Sequence, residues 1–104
     1  MGDELREISR VTVITDAALK EEVIRECLRL GANGYTSWPC DGKGEHKVLP
    51  DVFSSNVAGG TYLEFLVQPE VARKIIAYCA GPTFRNHAMT SYATTIQIWA
   101  ADKF

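Results

Sequence analysis

Alternating apolar and polar positions mark four stretches of the chain as β-strands. The first, residues 7–15, is rich in β-branched side chains, and the last, residues 92–99, alternates clearly. Between them, residues 61–68 alternate as well, and residues 34–38 form a short strand. Because proline has no N–H to donate to a central ladder, we expect this short strand to end at Pro39.

Two further stretches repeat their apolar residues at the helical period of 3.6. After the first strand, Thr15 or Asp16 is a candidate N-cap, and Gly31 provides the stop. The second helix begins at Pro69, which suits a first turn, and ends before Gly81 and Pro82. The apolar stripes consist of Leu19, Val23, Ile24, Cys27, Leu28 and Leu30 in the first helix and of Val71, Ile75, Ile76 and Cys79 in the second.

The predicted element order, βαββαβ, is that of the ferredoxin-like arrangement. The sequence therefore predicts one α+β domain over residues 1–104, with a four-stranded antiparallel sheet and both helices on one face. The other face mixes Ile, Thr, Tyr, Leu, Gln and Trp. A small domain gains much from association, so we interpret this mixed face as a subunit interface, with a solvated face as the alternative.

Composition and charge argue against some classes of function. The chain has 104 residues, 46% of them hydrophobic and 23% charged, with a formal net charge of -2. That charge argues against nucleic-acid binding, which usually needs a basic surplus. No apolar run approaches the roughly 20 residues that span a bilayer, and the first residues are acidic and polar, so we expect a cytoplasmic protein. Cys27 and Cys79 fall on apolar helical faces and are expected to be buried thiols.

The stretch "GYTSWPCDGKGEHK", residues 34–47, holds the candidate chemistry and opens a segment of roughly twenty residues without a period. Gly42 and Gly44 flank Lys43, and glycines let the backbone approach an anion closely. The spacing is not that of a phosphate-binding P-loop. On its residues alone, the segment is either an anion site or a solvated hairpin loop.

Metal binding and catalysis are weaker interpretations. Cys40, His46, Cys79 and His87 are metal-ligand types, but their spacing matches none of the paired zinc patterns. Either histidine could act as an acid or base, yet no nucleophile with a positioned base is recognisable. We therefore assign neither a catalytic residue nor a metal ligand.

The run "ANGYT", the interrupted strand, the "GKG" turn and the segment "TFRNHAMTSYATTIQIW" together resemble the PII signalling proteins, and most closely their carboxysome-associated and bicarbonate-linked relatives. The resemblance implies a homotrimer that binds adenine nucleotides, and in the carboxysome-associated group bicarbonate, in clefts between subunits. It also implies a long T-loop between the second and third strands. The ligand would order or release this loop, which engages a protein partner such as a transporter or a carboxysome component.

Carried onto this sequence, the resemblance gives a set of nucleotide- or anion-binding candidates. They are Gly34, Thr36, Trp38, Gly42, Lys43, Gly44, Glu45, His46, Lys47, Phe84, Arg85 and Asn86. Lys43, His46, Lys47 and Arg85 would contact phosphate or bicarbonate, because cations suit oxyanions. Thr36 would bond to ribose or base, Trp38 would stack or wall the cleft, and Phe84 would line the adenine pocket.

Two departures from the family pattern refine this hypothesis. Glu45 stands where relatives often carry arginine, which favours ADP or AMP over ATP. Residues 41–59 contain no tyrosine, so the uridylylation of the nitrogen-sensing PII proteins has no acceptor. Two alternatives stay open, a trimeric metal-binding protein of the divalent-cation-tolerance type and a small hydrolase that uses Lys43.

Overall fold

A computed structural model of the protein describes residues 5–41 and 59–99. Its elements are the strands β1 (Leu5–Asp16), β2 (Thr36–Cys40), β3 (Gly60–Val67) and β4 (Met89–Trp99) and the helices α1 (Lys20–Arg29) and α2 (Pro69–Cys79). Short 3-10 helices cover Ala17–Leu19 and Pro82–Phe84. The predicted order βαββαβ and the α+β class are confirmed.

The four described strands form one antiparallel sheet in the order β2-β3-β1-β4. β1 is a central strand. It pairs with β3 through its residues 9–16 and with β4 through its residues 5–15. The two edges of the sheet are therefore β2 and β4. Since residues 5–8 of β1 pair with β4 alone, this end of the sheet is a two-stranded ribbon.

The hydrophobic core lies between the sheet and the two helices. β1 and β3 contribute Val11, Val13, Leu63 and Phe65, each fully buried, and the helices contribute Val23, Cys27, Ala72 and Ile75. This assignment of sheet faces is the one that the alternation predicts. Burial at up to about 1.5–3 kcal/mol per large side chain makes this layer the main source of stability.

The predicted buried thiols are confirmed. Cys27 and Cys79 are free and buried, one on each helix. Burial, with a smaller contribution from Cys79 and Glu26, raises the pKa of Cys27 to about 12, and burial raises the pKa of Cys79 to about 11. Both side chains therefore stay neutral near pH 7 and pack as small hydrophobic groups.

The prediction that Pro39 ends the second strand was wrong. β2 continues through Pro39 to Cys40 and begins at Thr36 rather than at residue 34. β2 is an edge strand with β3 as its single neighbour in the described sheet, so a missing N–H on its outer side leaves no ladder bond unmade. At the other edge, β4 begins at Met89, three residues earlier than predicted.

The predicted helix cap was also wrong. The Thr15 hydroxyl donates instead to the carbonyl oxygen of Ala88, at 2.6 Å, which ties β1 to the start of β4. Asp16 precedes the Ala17–Leu19 turn but makes no capping hydrogen bond through its side chain. The chain enters α1 through that 3-10 turn rather than through a side-chain cap.

The end of α1 is the predicted glycine stop. The Gly31 N–H donates to the carbonyl of Leu28 at 3.2 Å, and the Ala32 N–H donates to that of Cys27 at 3.1 Å. This pair of bonds is the Schellman motif, which needs a residue with positive φ at its centre. Gly31 has φ +127°, and a Cβ there would lie 3.0 Å from Cγ2 of Val71 on α2.

We expect Gly31→Ala to lower the free energy of unfolding by about 1–3 kcal/mol, the usual cost of a side chain in a sparsely populated backbone region. Gly34→Ala is the matched control, because Gly34 lacks a positive φ and a Cβ there would have no heavy atom within 4 Å. Urea denaturation followed by circular dichroism measures both. Equal midpoints for the two variants would contradict the argument.

Candidate functional site

A groove of ≈ 270 Å³ lies at the β2 edge of the sheet. Its lining comes from the segment between α1 and β2, from the start of β2 and from the neighbouring positions of β3. These residues are Asn33, Gly34, Tyr35, Thr36, Glu64 and Leu66. Thr36 and Glu64 meet there because they are direct partners in the β2–β3 register.

The groove opens on the face of the sheet opposite the helices, which we call the open face. By register, it carries Arg10, Thr12 and Asp16 of β1, the even-numbered residues of β3, and the corresponding residues of β2 and β4. The mixed composition predicted for this face is confirmed for Ile, Thr, Tyr, Leu and Trp, whereas Gln97 pairs with Glu7 and lies on the opposite face. Apolar residues such as Ile14, Leu66 and Ile96 alternate with charged and hydroxyl side chains.

The electrostatics of the groove favour a donor-bearing ligand group. Among the lining residues, Glu64 is the one with a formal charge, and its carboxylate accepts hydrogen bonds. Sugar hydroxyls and exocyclic amines are donors that suit it, whereas a phosphate beside it would be repelled. At this position Glu64 therefore favours a hydrogen-bond donor over an anion.

Trp38 and Tyr62 form a stacked pair beside the groove on the open face. Their ring centroids are 4.3 Å apart with 18° between the ring planes, and the two residues are direct cross-strand partners. Trp38 remains 43% exposed. The Tyr62 hydroxyl lies 3.4 Å from Oγ1 of Thr12. This pair packs β2 against β3 two residues before the end of β2.

The second predicted segment is placed apart from the groove. Phe84 is buried in the core and packs edge-to-face on Tyr78, with ring centroids 5.1 Å apart. Arg85 and Asn86 are exposed in the turn that follows the Pro82–Phe84 helix. None of these three residues lines the groove of its own chain.

The structure thus brings together part of the predicted set. Gly34 and Thr36 line the groove, and Trp38 lies beside it. The other candidates of the turn lie outside the described residues, namely Gly42, Lys43, Gly44, Glu45, His46 and Lys47. Sequence reasoning missed Asn33, Tyr35, Glu64 and Leu66, although a glutamate between apolar residues in "YLEFLV" was an available signal.

No group of three or more His, Cys, Asp or Glu side chains in residues 5–41 and 59–99 is arranged to hold a metal ion. In the same ranges, no helix is long and apolar enough to cross a membrane.

Comparison with protein families gives one match that covers most of the chain. The family model of nitrogen regulatory protein P-II matches residues 8–101. No curated protein sequence matches the chain.

Solved structures show the same fold. A PII-like signalling protein from Thermus thermophilus is similar at 26% identity, with a TM-score of 0.79 over 96% of this chain and 97% of that one. CPII from Thiomonas intermedia, a nitrogen regulatory PII-like protein bound to ADP, AMP and bicarbonate, is 22% identical, with a TM-score of 0.77 over 97% and 100%. GlnK of B. subtilis in complex with ATP is more distant, at 16% identity and a TM-score of 0.52 over 85% and 82%.

Proposed function

The chain belongs to the nitrogen regulatory protein P-II family, and on that premise we propose that it is a signalling protein that binds ADP or AMP in preference to ATP. Bicarbonate is the proposed second ligand. The observation that carries the proposal is the groove at the β2 edge, which lies at the start of the strand leading into the glycine–lysine turn.

In the proposed complex, one group of residues binds the base and ribose of the nucleotide, and a second group binds its phosphates. The groove, with Glu64 and Thr36, takes the base and ribose, which offer hydrogen-bond donors. Lys43, His46 and Lys47 follow β2 in the sequence and take the phosphates or bicarbonate. With Glu45 in place of an arginine, this turn favours the ligands with fewer phosphates.

The proposed assembly is a homotrimer with a nucleotide in each cleft between neighbours. The placement of residues 84–86 supports this proposal, because Arg85 and Asn86 are exposed away from the groove of their own chain. In an assembly, the same turn of a neighbouring copy supplies Arg85 as the facing cation. Phe84 supports that turn from inside the core.

The proposed output is the segment between β2 and β3, which acts as the T-loop. Ligand binding at its root changes which protein partner it engages, and the proposed partner is a bicarbonate transporter or a carboxysome component in the cytoplasm. No nucleic acid and no catalytic step are part of this function. The similar Thiomonas protein, which is bound to ADP, AMP and bicarbonate, supports the choice of ligands.

Titration calorimetry tests the proposal with AMP, ADP and ATP, each with and without bicarbonate. We expect ADP or AMP to bind more tightly than ATP, because Glu45 repels added phosphate charge. If bicarbonate occupies the same assembly, it changes the nucleotide affinity, and the nucleotide changes the bicarbonate affinity by the same factor. The absence of heat with all three nucleotides would refute nucleotide binding.

A further inference from the structure

Arg10 of β1 has a hydrogen-bond donor that the described part of the chain leaves unused. Its Nε is shielded from solvent and has no hydrogen-bond partner there. A buried donor of this kind is costly because it has lost its bonds to water, and native proteins pair nearly all of them. Arg10 therefore needs an acceptor, and the register of the sheet shows which ones lie within its reach.

The β1–β3 register places one carboxylate next to Arg10 on the open face. Arg10 lies opposite Leu66, and the next pair on the same face joins Thr12 to Glu64, so Arg10 and Glu64 are diagonal neighbours. Diagonal neighbours in an antiparallel pair of strands are about 7–8 Å apart, a distance that long side chains bridge. The Glu64 carboxylate is thus within reach of the Arg10 guanidinium.

The other described residues around Arg10 offer no second carboxylate at this distance. On its β4 side, Arg10 pairs with Thr94, which is uncharged, and β2 and β4 contain no Asp or Glu. Asp16 lies six positions along β1, which is roughly 20 Å on an extended strand. Glu7 has an odd position in the register and faces the opposite side of the sheet. Glu64 is therefore the acceptor that the fold provides for Arg10.

Glu64 also connects Arg10 to the proposed ligand. The Glu64 carboxylate lines the groove, as does Leu66, the direct partner of Arg10. Glu64 is partly buried, and a ligand seated in the groove removes its carboxylate further from water. One carboxylate oxygen then accepts a hydrogen bond from the ligand. The negative charge still needs compensation, because a carboxylate buried without a partner is strongly unfavourable.

In the structure, the ion pair among the described residues joins Arg29 to Glu26 on α1, so Arg10 and Glu64 are neighbours without an ion pair. Each of the two has a requirement that the other meets. Arg10 has a buried donor without an acceptor, and Glu64 has a charge that ligand binding would bury. A single charge-assisted hydrogen bond satisfies both requirements.

We propose that Arg10 is the positioning residue for Glu64: when a ligand occupies the groove, the Arg10 guanidinium donates through Nε to one oxygen of the Glu64 carboxylate. The other oxygen is then held to accept from a ribose hydroxyl or from an amine of the base. This inference rests on the proposed function and deepens it, because it adds to the nucleotide site a residue that lies behind the groove lining.

The contact acts on the neutral part of the ligand, which distinguishes it from a direct bond between Arg10 and a phosphate. Glu64 is proposed to bind base and ribose, and adenosine shares both with ADP. Loss of Arg10 leaves the Glu64 charge uncompensated in either complex. Adenosine and ADP should therefore weaken by a similar factor when Arg10 is replaced.

Titration calorimetry with ADP and with adenosine tests the contact in Arg10→Gln, in Glu64→Gln and in the double variant. We expect Arg10→Gln to raise both dissociation constants at least about tenfold. The double variant no longer buries an uncompensated charge, so it is expected to bind ADP more tightly than Arg10→Gln alone. Arg10→Lys keeps the positive charge and should lose less affinity than Arg10→Gln.

Arg6→Gln is the matched control, because it makes the same chemical change on the same strand and the same face. Arg6 pairs with Ile98 of β4 and lies six positions from Thr12, the partner of Glu64, which is roughly 20 Å. It should bind ADP like the wild type. Circular dichroism checks that each variant folds, and light scattering checks that its molar mass is that of the wild type.

Nuclear magnetic resonance follows the Arg10 donor in the wild-type protein, so this measurement does not depend on how an Arg10 variant folds or assembles. The Nε–H signal of Arg10 is compared with and without saturating ADP. We expect ADP to shift this signal and to slow the exchange of its proton with water, because the proton enters a hydrogen bond. Glu64→Gln should reduce both effects, since a neutral amide oxygen is a weaker acceptor than a carboxylate.

The outcomes separate this inference from the proposed function. A wild-type protein that binds no nucleotide overturns both. If the wild type binds ADP, a folded Arg10→Gln variant with unchanged affinity, or an Nε–H signal that ADP leaves unchanged, overturns the Arg10–Glu64 contact alone. A loss confined to ADP, with adenosine unaffected, also overturns it and assigns Arg10 to the phosphates. A double variant that binds ADP no more tightly than Arg10→Gln has the same consequence for the contact.

Discussion

Leu63→Ala is expected to lower the free energy of unfolding by about 2–5 kcal/mol, the range for truncating a fully buried leucine. Leu63 lies on β3 with no exposed surface and belongs to the core between sheet and helices. The loss combines the transfer free energy of the removed methyl groups with the cavity that they leave. For a domain whose total stability is of the order of 5–15 kcal/mol, this is a large share.

Leu28→Ala is the matched control, because it makes the same chemical change on the outer side of α1. Leu28 is 41% exposed, and alanine is the better helix former, so the expected loss is below about 1 kcal/mol. Urea denaturation at one fixed protein concentration compares the variants, since assembly makes stability depend on concentration. Similar losses at the two positions would show that the core is not where the structure places it.

Most of the fold could be predicted from the sequence, because its signals are local. The alternation in β1 and β3 identifies which side chains face the helices, and Gly31 marks the end of α1. Two predictions from local signals, the end of β2 at Pro39 and the helix cap at Thr15, were wrong because each depends on contacts between distant parts of the chain. Pro39 is compatible with a strand only when that strand is an edge, and Thr15 bonds to Ala88, a partner far along the chain. The sheet order decides both.

The candidate site was predictable only where its residues are neighbours in the sequence. Gly34 and Thr36 stand in one short run, so the run itself points to them. Glu64 joins them through the β2–β3 register, and a strand's register depends on which residues its partner presents. No periodicity reveals that contact before the strands are paired, so the lining from β3 was missed.

Edge position also links the fold to the proposed signalling. β2 has one strand neighbour in the described sheet, β3, and the groove and the Trp38–Tyr62 stack lie across these two strands on the open face. A ligand bound there contacts the strand that continues into the proposed T-loop. In the proposed function, a change at the groove would reach that loop through β2, in which Trp38 stacks on Tyr62.

Thr36→Trp is expected to weaken ADP binding at least about 100-fold, equivalent to about 2.8 kcal/mol. The indole is far larger than the threonine side chain, so it fills the groove in which base and ribose are proposed to lie. The fold should survive, because Thr36 is exposed at the start of an edge strand and tryptophan suits strands. Lys74→Trp, at an exposed position on α2 outside the groove and outside the turn of residues 84–86, is the control and should bind ADP like the wild type. Titration calorimetry measures the affinities, and circular dichroism checks folding. A folded Thr36→Trp variant with unchanged ADP affinity would show that the nucleotide binds somewhere other than this groove.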